Sequence, residues 1–357
     1  MDDLLVRGSE KWSRYPPDVL PAWVAEMDFP LAPPVREALH LAIDRGDLGY
    51  IGPTGGLLEA MHGFYARRLG WELDTEQVAL VADVMVGFKE LLLVHTQPGE
   101  GVIINPPAYP PYFDDIPHVG RRVVEVPLGE DGALDVDGLD KAFAAGARAL
   151  LLCSPHNPTG RVYTREELAA VAAVAEDHDA FVVVDEIHAP LTFNGSFTPW
   201  QAVSTRGAVL TSASKAFNVP GLKLGFVVGE PATKLHPHLR YHAGYAGLVA
   251  AEAAFSGGDE WLDETLATIA ANQRDLPALL PDGVAVTYPA DASYLAWLRC
   301  DPGLGDDPAA VFLERGRVAL QSGLGFGAPG KGHVRLNVGT TPELVREAVR
   351  RMASALG

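Results

Sequence analysis

The chain has 357 residues, 48% of them apolar and 21% charged, with 28 Lys and Arg against 46 Asp and Glu for a net charge of −18. That length suits about two domains around a large core, and the composition excludes a disordered, collagen-like or membrane-spanning chain. An acidic surface opposes non-specific binding to nucleic acid or anionic lipid. Two well-separated cysteines, Cys153 and Cys300, argue against a disulfide framework or a zinc ribbon. That cysteine usage fits a reducing cytoplasm, and the polar, acidic start MDDLLVRGSEKW reads without the basic-then-apolar pattern of a signal peptide. The first 35 residues read as irregular, broken by Pro16, Pro17, Pro21, Pro30, Pro33 and Pro34. Helices follow over 35–44 and, after the turn Gly52 to Gly56, over 57–69. Then the pattern alternates. Strands are predicted at 77–82, 101–104, 122–126, 149–153, 181–184, 208–211 and 225–228. Helices are predicted at 87–96, 139–144 and 165–177, the last opened by a capping box of Thr164 and Glu167. Asn105 to Pro111 reads as a proline loop. Short apolar runs alternating with helical periods predict an α/β domain on a mainly parallel sheet buried on both faces. The last hundred residues read as a smaller α+β domain: a long helix over 260–279, strands at 294–298, 318–321 and 332–337, and a closing amphipathic helix over 341–356. The change falls near 246–262. This divides the chain into an N-terminal segment (1–35) packing on the active site and small domain, a large domain (36–255) and a small one (256–357).

In open α/β sheets, ligands bind beyond the carboxyl ends of the strands. After 149–153 comes SPHNPTG, which holds the amide of Asn157 between prolines. Taken alone, it could be a plain turn. After 181–184 come Asp185, Glu186, Ile187 and His188. A carboxylate at the end of a buried strand is costly without a positive partner. A structural ion pair, a helix cap or a metal site on Asp185, Glu186 and His188 are the competing readings there, and no further His/Asp cluster supports a metal. After 208–211 comes SASKAFN. Lys215 is one of only seven lysines and lies in a small-residue loop rather than on a polar stretch. Desolvation there lowers an amine's pKa and makes it a nucleophile fit for a Schiff base. Lys223, eight residues on, is a second cation near hydroxyls and suits a phosphate. A Schiff-base lysine, an acid for the pyridine nitrogen and a phosphate cradle together describe a pyridoxal 5'-phosphate site.

On these residues the chain resembles the fold-type I pyridoxal-phosphate enzymes of the aspartate aminotransferase superfamily. More closely, it resembles the MalY/PatB group of cystathionine β-lyases. The markers are Trp23 to Phe29 (WVAEMDF), Gly49-Tyr50, Pro106 to Tyr109 (PPAY), Cys153 to Val162 (CSPHNPTGRV), DEIH, SASKAFN and Val334 to Gly339 (VRLNVG). The resemblance implies that Lys215 forms the Schiff base and shuttles the proton, and that Asp185 pairs with the pyridinium nitrogen. Asn157 would donate to the ring's phenolic oxygen. His188 would stand where many aminotransferases have a tyrosine touching that oxygen. Tyr109 would stack on the ring. Ser212, Lys223 and the backbone amides of Val84 and Met85 would bind the phosphate at the start of the helix opening near Gly87. Tyr50 would reach the phosphate of a neighbouring subunit, which implies a homodimer, and Arg335 would clamp the substrate α-carboxylate, with Asn157 also contributing to substrate binding. Three departures stand out: Glu26 where the group has Asp, the acid Asp83 at the phosphate helix, and the glycine-rich Tyr241 to Gly247 near the expected entrance.

The implied reaction is α,β-elimination from L-cystathionine or a related L-cysteine S-conjugate, giving a thiol, pyruvate and ammonia. An aminotransferase would use the same residues and require a 2-oxo acid. A non-catalytic ligand-binding protein on this fold is the third reading, and the joint presence of Lys215, Asp185, Asn157 and Arg335 argues against it.

Overall fold

The computed structural model describes residues 2–357. The larger sheet orders its strands Val78–Val81, Gly225–Val228, Ala208–Thr211, Phe181–Asp185, Ala147–Cys153, Gly101–Ile104 and Arg122–Glu125. Gly225–Val228 runs antiparallel to both of its neighbours, and the remaining pairings are parallel. Its strands are short and nearly continuous in apolar residues because helices cover both faces. Alternation sorts their side chains. Leu150, Leu152, Val182 and Val184 enter one core cluster, and Ala149, Leu151, Cys153 and Val183 enter the other.

The second, smaller sheet is antiparallel in the order Gln321–Ser322, His333–Asn337, Leu295–Cys300 and Val284–Val286. Helix Pro342–Leu356 packs Val345, Val349 and Met352 into a separate core with Leu298, Val334 and Leu336. That core also holds Leu4, Trp12 and Leu20 from the start of the chain.

Several elements differ from the sequence reading. The first 35 residues are not wholly irregular: helices Asp2–Leu5 and Glu10–Ser13 form, and Leu20–Pro21 pairs in parallel with Val318–Ala319. The expected strand at 318–321 is therefore two strands in two sheets, Val318–Ala319 and Gln321–Ser322, with Leu320 turning the chain between them. Helix Pro111–His118, which was not anticipated, begins at the last residue of the expected proline loop, since Pro111 stands at the first turn, where no amide donor is needed. Helices Tyr245–Gly257 and Pro308–Gly316 were not anticipated. The helix expected to open near Gly87 starts at Val84, since the Asp83 carboxylate caps it by accepting from Val86 N at 2.9 Å. Gly87 instead lets that helix lie on the sheet, where a Cβ would stand 2.8 Å from a Val227 methyl. Helix Arg165–Asp177 carries the expected capping box.

Candidate active site

The carboxyl edge of the larger sheet gathers most of the expected residues. The strand Gly225–Val228 runs the opposite way, so its beginning, not its end, lies at this edge. This brings Lys223 there, in a left-handed backbone conformation with φ of 56°. Gly225 is in register with Val81, and a Cβ on it would come within 2.9 Å of Val84 N. Only glycine lets the strand approach the helix start this closely.

Lys215 sits in the last turn of the short helix Ala213–Ala216, directly after strand Ala208–Thr211. Ser212 opens that turn: its buried Oγ accepts from Ser214 N at 3.0 Å and donates to Leu224 O at 2.6 Å. The Lys215 amine donates to the Ala25 carbonyl at 3.1 Å. Removal from bulk water, helped by the charge of Arg335, lowers its pKa to about 8, against the pull of Asp185 and Glu26.

Asp185 ends strand Phe181–Asp185 and is buried. Its Oδ2 accepts from Tyr112 Oη at 2.8 Å and its Oδ1 from Ile187 N at 3.1 Å. Burial raises its pKa, while the two donors and Lys215 favour the anion. His188 is buried nearby, its Nδ1 without a partner, and burial followed by the charges of Lys215 and Arg335 lowers its pKa to about 3. It is therefore a neutral imidazole.

Arg335 projects from strand His333–Asn337 of the smaller sheet and is buried. Its Nη1 donates to Asn157 Oδ1 at 3.0 Å and its Nη2 to Trp23 O at 3.2 Å, while Nε has no partner. The guanidinium lies 5.2 Å from the centre of the Phe326 ring. Tyr109 is partly buried, edge-on to Tyr112 at 5.4 Å. At the helix start, Lys223 Nζ pairs with Asp83 Oδ2 at 3.1 Å, so the unexpected acid serves both as cap and as the lysine's counter-ion. Val84 is buried and Met85 half-buried in the same turn. Tyr50 stands apart from this group. It is 88% exposed, with its ring edge-on to Tyr241 at 6.3 Å.

Sequence reasoning missed the groups that hold the N-terminal strap, residues 22–28, across the site. Asn337 Nδ2 donates to Val24 O and Glu26 O, both at 2.7 Å. Asn218 accepts from Met27 N and donates to Met27 O, both at 2.8 Å. Tyr294 Oη donates to Ala25 O at 3.1 Å. Lys11 is buried against Asp28 at 2.8 Å, and Trp12 Nε1 donates to the same carboxylate at 2.8 Å. Asn218 and Asn337 both lie inside quoted motifs, SASKAFN and VRLNVG, and strictly positioned amides were the available signal. Tyr112 was also missed.

This donor set fits pyridoxal phosphate. A buried carboxylate meets a ring nitrogen's charge, and a low-pKa amine meets an aldehyde. A lysine and a helix N-terminus meet a phosphate. The unpartnered atoms His188 Nδ1 and Arg335 Nε are polar groups that gain a partner when a polar ligand enters.

The aminotransferase class I and II family matches residues 24–352. The chain belongs to that family. Cystathionine beta-lyase of Corynebacterium glutamicum is 36% identical over 368 residues, covering 100% of this chain and 99% of that protein. Cystathionine beta-lyase PatB of Bacillus subtilis (strain 168) is 33% identical over 363 residues, covering 95% and 93%. Among solved structures, a Corynebacterium diphtheriae protein assigned as a PLP-dependent beta-cystathionase superposes with a TM-score of 0.94 at 36% identity, covering 99% of this chain and 97% of that one. The family resemblance read from AEMDF, HNPTG, DEIH and SASK thus extends over the whole chain, and the fold is that of the fold-type I PLP-dependent enzymes.

Proposed function

We propose that the protein is a pyridoxal-phosphate-dependent carbon–sulfur β-lyase that cleaves L-cystathionine or a related L-cysteine S-conjugate into a thiol, pyruvate and ammonia. The observation that carries this reading is Lys215: an amine with its pKa lowered to about 8, held on the Ala25 carbonyl at the same sheet edge as Asp185. The relatives named cystathionine beta-lyase support the choice of reaction.

When bound, the cofactor supplies an electron sink that stabilises negative charge at the substrate α-carbon. The chain supplies the rest. Arg335 offers its planar fork to the α-carboxylate, with Asn157 fixing its orientation. Lys215 Nζ, when neutral, takes the α-proton as general base. The α-electrons then expel the sulfur from the β-carbon as a thiolate, and water completes the release of pyruvate and ammonia. Asp185 stays anionic to hold the proton of the ring nitrogen. Ser212, Lys223 and the amides of Val84 and Met85 would hold the phosphate, and Tyr109 and His188 would face the ring.

The same reading includes a homodimer. Leu41, Ile43, Leu48 and Tyr50 expose large apolar surface, between 45% and 88% each, and a second copy covering it would carry Tyr50 to the neighbouring phosphate. It also places the enzyme in the cytoplasm, in keeping with two unpaired, buried cysteines. It assigns cofactor binding to a large domain, 36–255, and substrate closure to 256–357 with the N-terminal segment. No helix among the described residues is long and apolar enough to cross a membrane.

Replacement of Lys215 tests the scheme. Lys215→Ala should lower thiol release from L-cystathionine by about 10²–10⁴-fold, the usual worth of a positioned general base. Release at the wild-type rate would contradict it.

A further inference from the structure

Asp185 is the one ionisable end of an apolar strand, and what surrounds it is specific. Val183 and Asp185 point to the same face of the sheet. On that face Val183, Cys153, Leu210, Phe88 and Tyr112 form one buried cluster. Asp185 is in register with Cys153 on one side and with Leu210 on the other. A carboxylate in such a place stays charged only if donors meet both of its oxygens. One donor, Ile187 N, is backbone and would be present with any side chain there. The other is the Tyr112 hydroxyl, 2.8 Å from Oδ2. Tyr112 comes from helix Pro111–His118 and is 2% exposed. Its ring is fixed against Phe88 at 6.1 Å and Tyr109 at 5.4 Å.

We propose that Tyr112 is a positioning residue whose hydroxyl holds Asp185 in place and in its anionic form, so that Asp185 can keep the cofactor's pyridine nitrogen protonated. The proposal rests on the pyridoxal-phosphate reading above and adds to it a residue that none of the sequence motifs contains. The other titratable groups facing Asp185 are Tyr109 from the preceding loop, Cys153 from the adjacent strand, Glu186 next in the chain and Lys215 from helix Ala213–Ala216. Helix Val84–His95 contributes the apolar Phe88 to this face. Burial and the neighbouring carboxylate raise the pKa of the Tyr112 phenol, so it remains a donor at any working pH. A hydrogen bond to a charged group is lost with the hydroxyl, and the charged form alone is destabilised. The Asp185 pKa therefore moves up.

The test is Tyr112→Phe, which keeps the ring and its packing. The bound cofactor's visible absorption is titrated from neutral to acid pH, and the pyridoxal phosphate dissociation constant is measured by equilibrium dialysis. The acid transition should move up by about one to two pH units, with cofactor binding about ten- to a hundredfold weaker, and kcat should fall more than KM rises. An acid transition and a dissociation constant equal to wild type would overturn the proposal, even if the unfolding midpoint fell. Tyr163→Phe is the control: it removes another buried phenol oxygen, one that makes no hydrogen bond, and should leave both quantities unchanged. If Tyr112→Phe does not fold, 3-fluorotyrosine placed at Tyr112 fills nearly the same volume and donates more strongly. It should move the acid transition down, and an unmoved transition would overturn the proposal. Wild-type protein that takes up no pyridoxal phosphate would overturn the parent reading and this one together. Wild-type protein that binds it but releases no pyruvate would overturn the lyase reading alone.

Discussion

An amine drawn out of bulk water loses part of what stabilises its charged form, and Lys215 has lost enough to titrate near pH 8 rather than at the ordinary value of about 10.4. The sign is fixed: burial and Arg335 favour the neutral amine, while Asp185 and Glu26 only partly oppose them. In the cofactor-free protein, competitive labelling with acetic anhydride should therefore modify Lys215 half-maximally near pH 8, about two units below an ordinary lysine. A midpoint above pH 10 would remove the physical basis for a lysine base. Arg335 makes a different demand, for shape. Its two terminal nitrogens reach Asn157 and Trp23 at once, which a lysine's single ammonium cannot reproduce. Arg335→Lys should raise KM for L-cystathionine by about ten- to a hundredfold, the worth of one hydrogen bond to a charged group. A KM within twofold of wild type would place the carboxylate elsewhere. Lys215, Asp185, Asn157 and Arg335 were legible because each stands in a short motif just beyond a strand or within one. Tyr112 was not, because its partner lies 73 residues away and no local pattern pairs them.

At the scale of elements, the N-terminal strap matters most. It is held from the large core by Asn218 and from the smaller sheet by Asn337, and its carbonyls at Trp23 and Ala25 meet Arg335 and Lys215. Its anchor is the Lys11–Asp28 pair, with side chains only 1% and 3% exposed. Removing one partner of a buried pair leaves the other charge without compensation, at a cost of about 3–5 kcal/mol. Lys11→Met should lower the unfolding free energy in urea by that amount; a loss below about 1 kcal/mol would mean that the pair does not anchor the strap. The sequence placed an N-terminal segment over the site and marked WVAEMDF within it, but not what holds it there, since the strap's bonds are to distant side chains. Helix Tyr245–Gly257 was hidden for another reason. It is buried between helices Pro33–Asp44 and Gly55–Leu69, so it lacks the polar face that marks a surface helix, and glycines flank it at both ends. The buried parallel strands were easiest to read, as continuous apolar runs bounded by turns. The reversed direction of Gly225–Val228 left no mark on its composition, yet it is what delivers Lys223 to the site.

At the scale of the whole molecule, the larger sheet has a core on each face and the smaller sheet a separate one, and Arg335 of the smaller sheet reaches across to Asn157, with its charge felt at Lys215. On the proposed reading the substrate would bind between these two packed units, which suits closure on binding. The exposed apolar face of Leu41, Ile43 and Leu48 calls for a cover. Sedimentation of the purified protein should give twice the chain mass, and Ile43→Glu should shift it toward the monomer. A wild-type monomer at micromolar concentration would contradict the shared site. Alternation of strands and helices made the α/β class legible from sequence, whereas the exposed apolar face of Leu41, Ile43 and Leu48 could not be told from core until burial was known. The central claim is elimination at the β-carbon, and the measurement that meets it most directly is pyruvate formation from L-cystathionine by the cofactor-loaded enzyme with no 2-oxo acid present. Pyruvate and free thiol should appear together in equal amounts. An intact substrate that reacts only after a 2-oxo acid is added would contradict the account and identify an aminotransferase.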